Sequence, residues 1–301
     1  MQQTDSLTIE AGDAIARFSR FGAECRHWEV GCRRLTWGGD PDVWSRIAPV
    51  LFPVCGWSRN GAIRVGPNIY PMPVHGFAAG KAFSAERSAP DTVVFRLHPD
   101  ASTRLSYPFD FELELAYRLT AETLEACISV ENQGQAPMPY ACGLHPGFVW
   151  QREAGAHRLI FSQPERPDVP VIAPGGLFSR RTRSVPLRGR VLDLAPELFA
   201  EEALCFLDVA GRSFTYETPF GTLKIEAPDF PHLILWSRAP GEFLAIESWT
   251  GTGDPENFDG DLFARPSMIH LLPGERRQHR VLYRWIGRAG FPPLADGTPR
   301  A

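Results

Sequence analysis

The 301-residue sequence predicts an all-β protein, a large antiparallel sandwich, on three observations. The first is strict alternation. Phe109, Phe111, Leu113, Leu115, Tyr117 and Leu119 are apolar, while Asp110, Glu112, Glu114 and Arg118 stand between them. A period of two describes a strand with one core face and one wet face. The second is that apolar runs are short and recur along the whole length. The third is the 27 glycines and 28 prolines, about 18% of the chain against about 12% in an average protein. They are spread throughout, which favours many short segments joined by turns over long helices.

Taken in order, Ala14–Phe21 and Thr92–Leu97 read as strands, followed by the alternating run to Leu119. A polar break at Thr120–Thr123 then leads into Leu124, Ala126, Ile128 and Val130, alternating with Glu125, Ser129 and Glu131, so the two runs form a hairpin. Ser213–Glu217, Leu223–Glu226, Leu233–Trp236, Phe243–Trp249 and Arg280–Trp285 are further strands. Turn clusters fall at Gly38–Pro41, Pro67–Pro73, Gly134–Pro139, Pro174–Gly176 and Pro228–Pro231. Pro196–Ala203 is the one helical candidate. Residues 1–288 read as a single β-sandwich domain, and 289–301 as a loose C-terminal tail.

Composition excludes several functions. Lys+Arg 31 against Asp+Glu 35 gives a net charge of −4, so no basic field is available for nucleic acid. The start, MQQTDSLTIEAG, lacks the basic and apolar regions of a secretory signal, and no apolar run approaches the roughly 20 residues of a membrane span. Cysteines 25, 32, 55, 127, 142 and 205 form no C-x-x-C pair and no metal-type spacing. A reduced, cytoplasmic protein without metal or membrane contact is the expectation.

Three segments carry the candidate chemistry: Tyr70–Ala78 around His75, Tyr140–Phe148 around His145, and Phe243–Gly251 around Glu247. Each histidine adjoins a Gly or Pro turn and a phenylalanine, so the backbone can approach a ligand against an aromatic wall. A turn histidine bonded to backbone is the ordinary alternative. Alternation places Glu247 on one strand face with Phe243 and Trp249, where a carboxylate must be paired, hydrogen-bonded or functional. A carboxylate with imidazoles can remove one proton while delivering another nearby. Opening a cyclic hemiacetal needs that: the anomeric hydroxyl is deprotonated and the ring oxygen protonated. No cofactor is required, and no P-loop, G-x-G-x-x-G or HExxH pattern is present.

In order along the chain, the sequence carries Ala48-Pro-Val-Leu-Phe-Pro53 with Gly56, His75-Gly-Phe-Ala, and Gly143-Leu-His145-Pro-Gly-Phe148. Leu235-Trp236-Ser237, Ile246-Glu247-Ser-Trp249-Thr-Gly251, Asn257–Asp261 and Leu272-Pro-Gly-Glu275 follow. This ordered set, from about Ile9 to Trp285, resembles the aldose 1-epimerase (galactose mutarotase) family, most closely its LacX-like branch. The resemblance implies a β-supersandwich of the galactose mutarotase type with a small-molecule sugar in a cleft on one sheet. It implies Glu247 as general base, His145 as general acid and His75 as the group orienting the sugar. Trp236 and Trp249 would pack on the pyranose face or serve as core. The family commonly has an arginine where this chain has Trp57, and Arg59 or Arg46 is left to supply that charge. An aspartate often binds sugar hydroxyls, and Asp208 is its nearest positional candidate.

Alternatives remain at this stage. Arg180, Arg181 and Arg183, with Arg188 and Arg190 beyond, form either a phosphate clamp for a sugar phosphate or a solvated loop. Asp254–Asp261 reads as a polar surface loop without EF-hand spacing. The Trp57 departure leaves open a non-catalytic sugar-binding protein on the same scaffold. A glycosidase wants two carboxylates, and only Glu247 stands out.

Overall fold

A computed structural model of the protein describes residues 6–288; the tail expected at 289–301 lies outside the described residues. The alternating segments become the antiparallel strands Phe111–Leu119 and Thr123–Asn132, in register from Phe111 opposite Asn132 to Leu119 opposite Leu124. Phe111, Leu113, Leu115, Tyr117 and Leu119 are buried, as the period of two requires. On the other face, Arg276 of the neighbouring strand Arg276–Gly287 reaches Glu112, Glu114 and Glu131 at 3.3, 2.9 and 3.4 Å.

This hairpin sits within a nine-stranded antiparallel sheet running from Val191–Asp193 at one edge to Ser84–Ala89 at the other. A second sheet has the order Leu204–Phe206, His232–Trp236, Phe243–Trp249, Gly143–Leu144, Val50–Leu51, with Gly147–Val149 also pairing to Phe243–Trp249. A smaller N-terminal sheet is built from Ser6–Ala11, Ala14–Ser19, Cys25–Val30 and Arg33–Arg34. The main core gathers side chains from all three, including the fully buried Phe18, Phe52, Phe95, Phe111 and Trp28. Each such side chain contributes about 1.5–3 kcal/mol of transfer free energy. The all-β antiparallel architecture is therefore the one the sequence pattern describes.

Two local expectations differ. Pro196–Ala203 forms only the 3-10 turn Pro196–Phe199, because the chain must straighten at once to pair Leu204 with Leu235. The arginine-rich segment is no open loop: Leu177–Ser184 is a strand paired with Asp168–Ala173, and their turn contains Gly175 and Gly176 at positive φ. All six cysteines are unpaired, and 25, 55, 142 and 205 are buried. No helix among the described residues is long and apolar enough to cross a membrane.

The strand Phe243–Trp249 is buried along its whole length, and this decides the functional geometry. Leu244 and Ile246 face the main core. Phe243, Ala245, Glu247 and Trp249 occupy the opposite face, away from the nine-stranded sheet.

Candidate active site

That opposite face floors a cleft of about 710 Å³, inside the roughly 300–1,000 Å³ typical of small-molecule sites. The floor is Glu247 and Trp249 with Ile234, Trp236 and Cys205 of the adjoining strands. Ile234 lies directly opposite Glu247, and Trp236 opposite Ala245. One wall is made by Trp44, Arg46 and the His75–Lys81 segment. The other holds Ile172, Gly176, Phe178, Glu202 and Ala203.

Glycines create the approach that brings His145 to this floor. A Cβ on Gly143 would lie 2.9 Å from the Ser248 carbonyl and 3.0 Å from the Trp249 ring; one on Gly147 would lie 2.7 Å from the Trp44 ring. With neither present, the turn between them presses His145 onto Phe243–Trp249. Its Nε2 stands 3.3 Å from Glu247 Oε2. Rings of Trp44, His75 and Trp236 surround the imidazole at 5.1, 5.5 and 5.7 Å.

His75 is held by a turn in which it adopts φ +64 and Gly76 φ +77. Its Nδ1 accepts from the Gly56 amide at 3.1 Å, and its own amide donates to the Gly56 carbonyl at 2.9 Å. A neutral ring with Nδ1 as acceptor carries its proton on Nε2, so that nitrogen is a donor. His75 is thus both the backbone-bonded turn histidine and a cleft residue. The Trp249 indole N–H donates to Glu247 Oε2 at 2.9 Å. Both contacts of the carboxyl fall on Oε2, and Oε1 has no protein partner among the described residues.

Burial sets the protonation states. It raises Glu247 well above the ordinary carboxylate range, against the lowering effect of the Trp249 hydrogen bond. It lowers His145 well below the ordinary imidazole value, with His75 adding to the effect, and lowers His75 to about 4. Glu247 and His145 are in contact, so they titrate as a pair. A single shared proton, on the carboxyl or on the imidazole, avoids a net charge in a desolvated site.

Of the predicted sugar-contacting residues, Arg46, Trp57, Trp236 and Trp249 line the cleft; Arg59 and Asp208 do not. The chain turns at Arg59–Gly61, and Arg59 lines a separate cavity of about 510 Å³, its side chain donating to the Phe258 carbonyl at 3.3 Å. Asp208 stands on a positive-φ turn with its side chain 77% exposed, beside His232. Between the two arginines left open by sequence, only Arg46 is in position, donating to the Ala79 carbonyl at 2.6 Å. Trp57 lies over Gly176, where a Cβ would fall 1.9 Å from the indole, and so joins the loop to the opposite wall. Trp249 is a buried partner of Glu247 and not an open stacking platform.

Sequence reasoning passed over four contributors. Trp44, just past the Gly38–Pro41 turn cluster, and Lys81 both lie in stretches that carry no marked pattern. Glu202 lines the cleft and is occupied on both oxygens: Oε2 accepts from the Ile172 amide at 2.7 Å, and Oε1 lies 3.3 Å from Arg183 Nε. Arg265 is buried 2.8 Å from Asp254 and also donates to the carbonyls of Cys55, Trp57 and Thr252. Asp254 therefore departs from the surface loop expected of it. This ion pair clasps the Gly56–Trp57 loop to the segment that follows the Glu247 strand.

A family model for aldose 1-epimerases matches residues 5–171, which include His75 and His145. The LacX protein of Lactococcus lactis is 31% identical over 252 residues, covering 79% of this chain and 84% of that protein. The chain belongs to the aldose 1-epimerase family. Within the family it falls in the LacX-like branch. A galactose mutarotase related enzyme from Lactobacillus acidophilus superimposes with a TM-score of 0.87 at 27% identity, over 93% of this chain and 97% of that one. A galactose mutarotase-like protein from Lactobacillus casei gives 0.87 at 26%, over 93% and 100%. The fold extends to a galactose 1-epimerase of Lactobacillus acidophilus, with a TM-score of 0.73 at 14% identity over 95% and 96%. Family and fold together support a sugar mutarotase-type role for this aldose 1-epimerase family member.

Proposed function

We propose that the protein is a cofactor-independent aldose 1-epimerase that interconverts the α and β anomers of a hexose or related aldose by general acid–base catalysis. The observation that carries this reading is the contact of Glu247 with His145 on the floor of a cleft that His75 also lines.

The sugar lies over the floor with its anomeric hydroxyl at Glu247 Oε1 and its ring oxygen toward the histidines. Glu247 takes the hydroxyl proton, and the C1–O1 bond becomes a carbonyl as the bond from C1 to the ring oxygen breaks. His145 supplies the proton to that oxygen. Rotation about C1–C2 presents the other carbonyl face. The hydroxyl then attacks it, returning its proton to His145 while Glu247 reprotonates O1. The atoms and protons balance, and the pair ends as it began. His75 Nε2–H orients the ring oxygen, and Trp249 holds the carboxyl of Glu247. Glu202 offers a carboxylate for ring hydroxyls, in the role for which Asp208 was considered. It is less suited to act as a second catalytic acid, since an amide and a guanidinium already engage it.

NMR exchange or polarimetry across a panel of aldoses tests the proposal. Acid–base catalysis contributes about 100- to 10,000-fold, so Glu247→Gln should lose at least about a hundredfold in rate. A wild-type protein that binds sugars yet exchanges anomers of none faster than buffer would show a binding protein on this scaffold and overturn the proposal.

A further inference from the structure

Two cations stand together in the cleft wall. Arg46 is two residues beyond Trp44, whose ring packs on His145, and Lys81 is on the segment that carries His75. The Arg46 guanidinium donates to the Ala79 carbonyl at 2.6 Å, which ties the two segments together beside Lys81. Lys81 Nζ donates to the Ser102 hydroxyl, which itself donates to Asp100. Both direct partners are neutral oxygens, and neither cation is in an ion pair among the described residues. The acidic groups lining the cleft offer them little compensation. Glu247 is held toward its neutral form by burial, and Glu202, on the opposite wall, is paired with Arg183 outside the cleft.

The chemistry of the ring turns this asymmetry into a substrate class. The ring oxygen has two carbon neighbours. One is C1, which faces Glu247. The other is C5, so the substituent on C5 extends along the side where the ring oxygen meets the histidines. Trp44, Arg46 and the His75–Lys81 segment form that side. A neutral hydroxymethyl group there would leave two half-exposed cations whose direct partners are neutral oxygens, whereas an anion would pair with both.

We infer that the preferred substrate is an aldopyranose bearing an anionic group at carbon 6, a phosphate monoester or a carboxylate, received by Arg46 and Lys81. This rests on the mutarotase reading and deepens it. It moves the phosphate-binding role from the Arg180–Arg183 strand, whose Arg183 is engaged by Glu202 and the Leu198 carbonyl, to the opposite wall.

The test separates binding from turnover. 1,5-Anhydroglucitol and its 6-phosphate lack an anomeric hydroxyl and cannot mutarotate, so calorimetry with both reads the subsite alone. Charge-assisted contacts predict that the phosphate binds roughly ten- to a hundredfold tighter, by a margin that shrinks with added salt. Lys81→Met and Arg46→Met should each erode that ratio toward one; Lys81→Met, a half-exposed site, serves if Arg46→Met fails to fold. Anomer exchange of glucose, glucose 6-phosphate and glucuronate then distinguishes phosphate from carboxylate, with kcat/KM highest for one of the two anions. Equal affinity for the two anhydro sugars, or a ratio that both variants leave intact, overturns the inference. Preferential binding of the phosphate without any anomer exchange would overturn the proposed function and leave the anion subsite standing.

Discussion

Replacing Trp249 with phenylalanine removes one N–H donor from beneath the proposed base while keeping an aromatic ring. That N–H lies 2.9 Å from Glu247 Oε2 in a site where Trp249 is 4% exposed and Glu247 1% exposed. A hydrogen bond to a charged group is worth about 1.5–3 kcal/mol, and one pKa unit corresponds to about 1.4 kcal/mol. The carboxylate form of Glu247 should therefore become harder to reach by about 1–2 units. The productive arrangement, carboxylate beside imidazolium, is disfavoured by the same amount relative to the neutral pair. The plateau rate of anomer exchange should fall about 10- to 100-fold. The direction of the pH change follows from the pair's proton count. As pH rises through the raised Glu247 pKa, the shared proton is lost and with it the acid. As pH falls through the lowered His145 pKa, a second proton arrives and the base is lost. Trp249→Phe should move the alkaline limb upward by about 1–2 units and leave the acid limb nearly in place. NMR exchange rates over a pH series, with circular dichroism to confirm folding, measure both effects. A rate that falls with both limbs unmoved would show that Trp249 only packs, and would refute its role in holding the carboxylate.

Three further outcomes follow from the same geometry. Arg265→Met leaves Asp254 buried and unpaired, so stability should drop by about 3–5 kcal/mol in urea unfolding, and a change under about 1 kcal/mol would refute the clasp. Gly76→Ala places a Cβ 2.1 Å from the Phe52 carbonyl oxygen, whereas Gly31→Ala, also at positive φ, meets open space. The first should lower Tm several degrees more than the second; equal losses would mean that backbone conformation alone matters there. His75, His232 and His279 are each lowered to about 4 in the folded protein against about 6.5 when unfolded. The stability they contribute is present above pH 6.5 and is lost as pH falls toward 4, by up to about 1.4 kcal/mol per pH unit for each group. Urea midpoints should thus decline between pH of about 7 and about 5, and His279→Gln should flatten the decline; a constant midpoint would contradict it.

The fold and the site were legible to different depths for a physical reason. Side chains of the Phe111–Leu119 hairpin announce their faces because a strand has period two and one face is buried; that signal is local. Glu247 was conspicuous on the same grounds, as a carboxylate among apolar neighbours. The histidines were visible through their glycine turns, whose need for close approach is also local. What a sequence leaves unordered is distance between segments. Arg59 stands three residues after Gly56 yet turns into another cavity, while Arg46, farther away in sequence, reaches the cleft wall. Asp208 lay at a plausible position and faces solvent, whereas Glu202, with no local mark, lines the cleft. Asp254 looked like part of a polar loop because its partner, Arg265, is brought to it only by the fold. Strand character, the family and three residues that the fold gathers at one cleft, His75, His145 and Glu247, were therefore legible in the sequence itself, through periodicity, turn chemistry and ordered motifs. Which charges share the cleft, and that Glu247 and His145 meet at 3.3 Å, was decided only when the His145 turn and the cleft walls packed over the outer face of the Phe243–Trp249 strand and removed water from the pair.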